Sequence, residues 1–397
     1  MSYLLLAISC KFVLMTAKII DRPYSVLFLF GILSSILGVS IWVLGLAGFQ
    51  YWADPLSMHK TAMFGMFMFS FVEGFILTAL PNFTGGRKIN QFEYRMLLTL
   101  KGLQLSAFVL DNYKLMLIFL ILDFAGLLSF LFIQYRQKKS NPPQSFIFVP
   151  IGLLYGFSYL ILELFYGNTL PMNTALLLEF GFILNIVLGV GAKILPVILG
   201  RLPAMERSFQ IEKKKPGVTE HLKKNMHYYF MALLNIAFMI QIFGSYFLGS
   251  LAVSILLFVS FYHKLKIFER PKNRTLLTLG IWIALWAIFL GTFLSSFEMF
   301  FVFGRHIYFI AGISLLTVMI ASRVSLSHGG YSLHFESTSK GLVFVIGLGV
   351  ASASLRFIPS VQSYISYEHA LICAGVLWMS SNLLWLFMFG KKIYQPV

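Results

Sequence analysis

The stretch YSVLFLFGILSSILGVSIWVLGLAG, residues 24–48, decides the fold class, because it contains no Asp, Glu, Lys, Arg or His. A helix rises about 1.5 Å per residue and the hydrocarbon core of a bilayer is about 30 Å thick. Roughly 20 apolar residues therefore cross it. Lipid offers no hydrogen-bond partner to backbone groups, so such a run must be helical. Similar stretches recur at about 60–81, 95–111, 114–134, 145–166, 174–199, 228–248, 250–265, 275–297, 306–326, 340–359 and 368–390. Lys101 interrupts the third, and only a short turn separates the seventh from the eighth. The 397 residues are 58% hydrophobic and 12% charged, with a mean hydropathy of +0.81. Soluble domains carry about twice that charge. The expected fold is an all-α, polytopic membrane helix bundle of about twelve transmembrane helices.

Charge placement gives a second test of this reading. Lys and Arg accumulate in cytoplasmic loops. With the N-terminus inside, the loop cations fall on the cytoplasmic side except Lys60, Lys114 and Arg305, while Lys101, Lys193 and Arg356 lie within helices. A miscounted helix would invert this bias from that point onward, so both termini are expected in the cytoplasm. The net charge of +16 then points to the lipid bilayer and not to nucleic acid. Residues 1–23 read as a cytoplasmic or interfacial segment, since Lys11 breaks the first apolar run early and no basic region precedes it. Residues 24–390 read as a single transmembrane domain and 391–397 as a tail. The basic loop near 200–227, with EKKKPG at 212–217, reads as a linker close to anionic headgroups. Cys10 and Cys373 form no C-x-x-C-H motif, which excludes covalent haem attachment of the c type.

Ionisable groups inside hydrocarbon are costly and mark candidate sites. Glu73, Asp123, Glu163 and Glu179 lie within spans, with Lys101, Lys193 and Arg356 as possible partners. Interhelical polar contacts and proton conduction are both open readings. His59, His306 and His369 each stand at the external start of a helix, and His328 lies beyond the cytoplasmic end of the tenth. Imidazole ligates haem iron and copper, but it also caps helices. His306 and His328 are separated by about 33 Å of helix and cannot share one iron. His59, His306 and His328 are the candidate metal ligands.

Three segments carry a resemblance. They are HKTAMFGMFMFSFVEGFILTALPNFTGG from His59, GVGAKILP from Gly189, and HIYFIAGISLLTVMIASRVSLSHGG from His306. Together they resemble the NnrS family of bacterial twelve-helix membrane proteins, which contain haem and copper and are linked to nitric oxide and denitrification. PNFTGG and SRVSLSHGG are the specific parts. The resemblance implies b-type haem, with copper possible, and nitric oxide or a related small molecule as partner. It implies a role in nitric oxide metabolism or nitrosative stress. By position it implies roles for His59 in the second-helix motif, for Lys193 in the sixth helix and for Arg323 and His328 at the tenth-helix exit; His306, which opens the tenth-helix segment, and His369, at the same external depth, complete the cofactor-binding candidates, His369 as a spare ligand. Met63, four residues after His59 on the same helix face, is the rival axial ligand. The chain departs from the family motif at Thr61 and Ala62, where a second histidine and a glutamate are expected. It also has no histidine around Thr278–Gly280.

A haem–copper oxidase or nitric oxide reductase is rejected because no His-His dipeptide occurs. A cofactor-free secondary transporter or anion permease is the alternative, supported by Lys193, Arg323 and the carboxylates within spans. Catalytic residues are not assigned. The topology has a direct check. Reporters fused after residues 140, 215 and 270 are expected to behave as cytoplasmic, and those near 170 and 300 as external. Two or more reversed reporters would break the helix count.

Overall fold

The computed structural model describes residues 22–201, 218–357 and 366–394. Helices joined by short turns make up these residues, and no strand occurs among them. The expected N-terminal segment lies almost wholly outside the described residues, as do residues 202–217 of the basic loop and the last three of the tail. In chain order the long helices begin with α1 (Tyr24–Leu46), α2 (Pro55–Thr84), α3 (Gln91–Val109) and α4 (Tyr113–Gln137). Then come α5 (Gln144–Tyr166), α6 (Asn173–Ile198), α7 (Val218–Phe243) and α8 (Tyr246–Leu265). The last are α9 (Leu276–Ser295), α10 (Glu298–Gly329), α11 (Lys340–Leu355) and α12 (Tyr367–Tyr394).

Among the described residues, 10 helices are long and apolar enough to cross a membrane. The other two are α3, which contains Glu93, Arg95 and Lys101, and α11, with 16 residues. Each long helix answers to one of the apolar stretches read from the sequence. The protein is an all-α, multi-pass membrane bundle. Several helices start where side-chain oxygens cap their first amides. Asp54 accepts from Ser57 N–H ahead of Pro55, and Asn112 accepts from Leu115 N–H. At α3, Asn90 and Glu93 form a reciprocal capping box. Arg87 donates to both Glu93 oxygens and so holds that carboxyl below its usual range.

The chain divides into two compact units. The first contains α1 to α4, residues 328–331 and the chain from Leu386 onward. Its α1–α2 contact runs over glycines. A Cβ on Gly31 would stand 2.7 Å from the Phe71 ring, and one on Gly74 would stand 3.1 Å from Tyr24 Cα. Phe69 stacks on Phe124 to join α2 to α4, with centroids 3.7 Å apart. The PNFTGG segment ends α2. Gly85 takes the left-handed conformation at φ +61°, which favours glycine. Lys139 and Ser140 amides donate to the Thr84 carbonyl at 2.8 and 3.0 Å.

The second unit contains α5 to α9, α10 as far as Ser327, α11 and α12 as far as Trp385. Here α9 and α10 approach so closely that a Cβ on Gly291 would overlap the Tyr308 backbone nitrogen. Trp385 Nε1 donates to Ser322 Oγ at 2.8 Å, and Ser381 Oγ to the Val345 carbonyl at 2.9 Å. Helices α2, α6 and α10 each contain a π-helical stretch, at Ala62–Met68, Leu177–Phe182 and Ile307–Ser314. Such insertions shift side-chain register and occur often at functional sites.

Gly291→Val is expected to destabilise the protein by about 1–3 kcal/mol through overpacking against α10. Gly347→Ala, where nothing lies within 4 Å of the added Cβ, should be neutral or stabilising. Thermal unfolding of both variants in detergent measures the contrast.

Candidate functional site

In the first unit, His59 lies half-buried one turn before the π-helical stretch of α2. Its Nδ1 is 2.8 Å from the Gly38 carbonyl of α1. A carbonyl only accepts, so Nδ1 carries a proton, and in the neutral imidazole Nε2 holds the lone pair. Trp42 packs edge-on to the imidazole at 6.0 Å. Met63 meets the same glycine, with Sδ 3.1 Å from where a Gly38 Cβ would sit. His59 and Met63 therefore share one face of α2, as their spacing requires. Histidines that ligate metals usually anchor their second nitrogen in this manner.

In the second unit, His306 shows the same tautomer. Its Nδ1 lies 2.7 Å from the Val302 carbonyl, one turn back in α10. Arg356, after α11, donates to His306 Nε2 at 3.1 Å. Next to His306, Arg305 is ion-paired with Glu179 in the π-helical stretch of α6. Phe180 stacks on Tyr308 with centroids 4.6 Å apart. Two of the three π-helical stretches thus meet through a ring stack, with the Arg305–Glu179 ion pair beside it. The sequence reading started the tenth helix at 306 and placed Arg305 in a loop. The helix starts at Glu298 and encloses Arg305, and the signal for this was Glu179, a carboxylate within a span that needs a cation.

The remaining expected site residues divide as follows. His369 is exposed, and Ser366 Oγ accepts from its backbone amide at 3.3 Å while also contacting Nδ1. That is helix-capping geometry. Lys193 is exposed on α6. Arg323 is ion-paired with Glu336, which is 1% exposed. His328 belongs to the first unit and lies against the Tyr24 ring at 5.6 Å. His59 and His306 fall in different units. Among the described residues, no group of three or more His, Cys, Asp and Glu is arranged to hold a metal ion.

Of the carboxylates within spans, Glu73 and Asp123 both meet Lys101, so Lys101 joins α2, α3 and α4. Arg356 pairs with a histidine and not with a carboxylate. A family model described as NnrS protein matches residues 18–396. The chain belongs to the NnrS family. No curated protein matches it. Membership supports a role for this NnrS-family chain linked to nitric oxide. Its motif segments have identifiable local tasks. PNFTGG terminates α2, and SRVSLSHGG supplies Ser322 to Trp385 and Arg323 to Glu336.

Arg323→Ala strands the buried Glu336 carboxylate and is expected to cost about 3 kcal/mol. Arg323→Ala combined with Glu336→Gln should recover part of that loss. Unfolding midpoints of the single and double variants measure the coupling. Additive losses would mean that the two side chains act independently.

Proposed function

We propose that the protein binds b-type haem through histidine in the bacterial inner membrane, with both termini cytoplasmic, and acts in nitric oxide metabolism or nitrosative-stress tolerance. The observation that carries the reading is the His59 Nδ1 contact with the Gly38 carbonyl, which assigns the lone pair to Nε2. The donor chemistry fits haem. Imidazole Nε2 is an ordinary axial ligand, and one or two histidines suffice. Bound haem would supply an iron with which nitric oxide can combine. His59 is the first ligand of the proposal, with the Met63 thioether as rival donor on the same helix face. His306 also presents Nε2 as acceptor, but Arg356 must leave that nitrogen before it can ligate. Arg323 already serves Glu336. Copper is the lesser part of the proposal, because it usually takes more ligands than His59 and Met63 provide.

A cofactor-free transporter or anion permease is the second reading, favoured by the Lys101 ion pairs buried between three helices. A visible spectrum of the purified protein separates the two. A Soret band is expected, reduced to background in His59→Ala at normal protein level. If haem content is unchanged in both His59→Ala and His306→Ala, the histidine assignment fails. Absence of haem from the wild type would favour transport. Loss in His306→Ala alone would move the ligand to the second unit.

A further inference from the structure

In the first unit, Glu73 of α2, Lys101 of α3 and Asp123 of α4 meet in a cluster shielded from solvent. The Lys101 ammonium is 2.8 Å from Glu73 Oε2 and 2.5 Å from Asp123 Oδ2. None of the three side chains is more than 3% exposed. Gln104, one turn after Lys101, donates from Nε2 to the same Asp123 oxygen at 2.7 Å. The ammonium also lies over the Phe69 ring at 4.9 Å and the Phe30 ring at 5.6 Å, so apolar surface closes around it.

Charge counting makes this arrangement more than a salt bridge. Two carboxylates face one ammonium, and among the described residues no further cation reaches the cluster. Helix α1 carries no acidic or basic side chain, and its one titratable group is Tyr24. Helix α3 adds Lys101, with Tyr94 two turns earlier on its buried face. Helix α4 adds Asp123 on its buried face. A lone net charge in a water-excluded interior is strongly unfavourable. The cluster is neutral when the two carboxylates hold one proton between them. Asp123 accepts from two donors, Lys101 and Gln104, whereas Glu73 meets Lys101 and the Asp123 carboxyl, so the proton shared by the carboxylates is placed on Glu73. A second observation stands beside the charge count. Gln104 Oε1 is fully buried and has no hydrogen-bond partner, on a side chain whose other atom bonds Asp123. An orphan acceptor there calls for an O–H donor, as a bound water or a carboxylic acid supplies.

We propose that this cluster is a proton-binding site, in which Glu73 holds an exchangeable proton against the Lys101–Asp123 ion pair. The reaction is reversible protonation of one carboxylate, with no bond other than O–H formed or broken. Loss of the proton leaves a net negative charge between α2, α3 and α4, so proton binding is coupled to the packing of these helices. The proposal does not depend on haem.

The test is infrared spectroscopy of the full-length protein in lipid, comparing H2O with D2O. The wild type should show a protonated-carboxyl C=O band that shifts on deuteration and moves when glutamate carboxyls are labelled with 13C. Glu73→Gln should remove it. Asp123→Asn should remove it too, because Glu73 and Lys101 then balance without a proton. No band in the wild type, a band that does not exchange, or one that responds only to labelled aspartate would each overturn the proposal. Persistence of the band in a helical, folded Glu73→Gln protein would do the same. The labelling experiments use wild-type protein and stand even where a variant fails to fold.

Discussion

Between helices in lipid, a polar atom must find its partner on another helix or on its own backbone, since water is not there to serve it. Most of the polar detail in this protein follows from that constraint. Ser34, Ser70 and Thr78 illustrate its range along the first two helices. Ser34 and Thr78 return their hydroxyls to carbonyls one turn back, at 2.8 and 2.7 Å. Ser70 Oγ is buried and lacks a partner. The larger groups cannot satisfy themselves locally. Lys101 takes two carboxylates, Arg305 takes Glu179, and Arg323 takes Glu336. Each of these contacts joins separate helical segments, so the costly groups also fix which faces meet. Glycines then set how near the helices come, as at Gly31 against Phe71 and Gly291 against Tyr308.

The helices were legible because apolar length is a property of local sequence. The third stretch shows where that reading weakens. Lys101 lowers its hydropathy and interrupts the apolar run, yet the helix continues through it with the ammonium buried. The residues that make this tolerable, Glu73 and Asp123, sit on other helices and appear in no local window. Arg305 gives the same lesson at a helix end. Its charge reads as loop, but Glu179 from α6 draws it into α10. The π-helical stretches left no recognisable trace in composition or spacing. Their register shift is a matter of backbone packing, and glycines within or beside them give only a partial signal. The candidate histidines were found by type and depth, whereas their tautomers came from carbonyls of Gly38 and Val302 that no sequence pattern announces.

PNFTGG and SRVSLSHGG carried the resemblance, and the geometry gives them structural work at helix ends. Gly85 supplies a left-handed turn, and a Cβ on Gly86 would overlap Gln134 Oε1. Ser322 and Arg323 tie α10 to Trp385 and Glu336. Motif identity therefore reports the fold of this family at least as much as its chemistry. Site chemistry has to be argued from what each side chain touches. On that basis Ser366 caps α12 and holds His369, while His59 and His306 each turn Nδ1 to a backbone carbonyl.

The departures at Thr61 and Ala62 can be judged on the same terms. Ala62 Cβ lies 3.1 Å from where a Gly38 Cβ would sit, so α1 and α2 are in contact at this position. A glutamate side chain there would have to displace α1 or turn away from it. Thr61 is 2% exposed, with its hydroxyl 3.5 Å from the Tyr113 hydroxyl, so it too belongs to a packed helix face. Both positions that carry extra donors in the family motif are thus occupied here by small side chains within close helix contacts. The donors of this part of α2 that meet Gly38 are one imidazole, His59, and one thioether, Met63. The proposed axial position on haem asks for only one such donor. Close packing of α1 on α2 and the narrowing of the donor set are one structural fact, centred on the glycine that accepts the His59 proton.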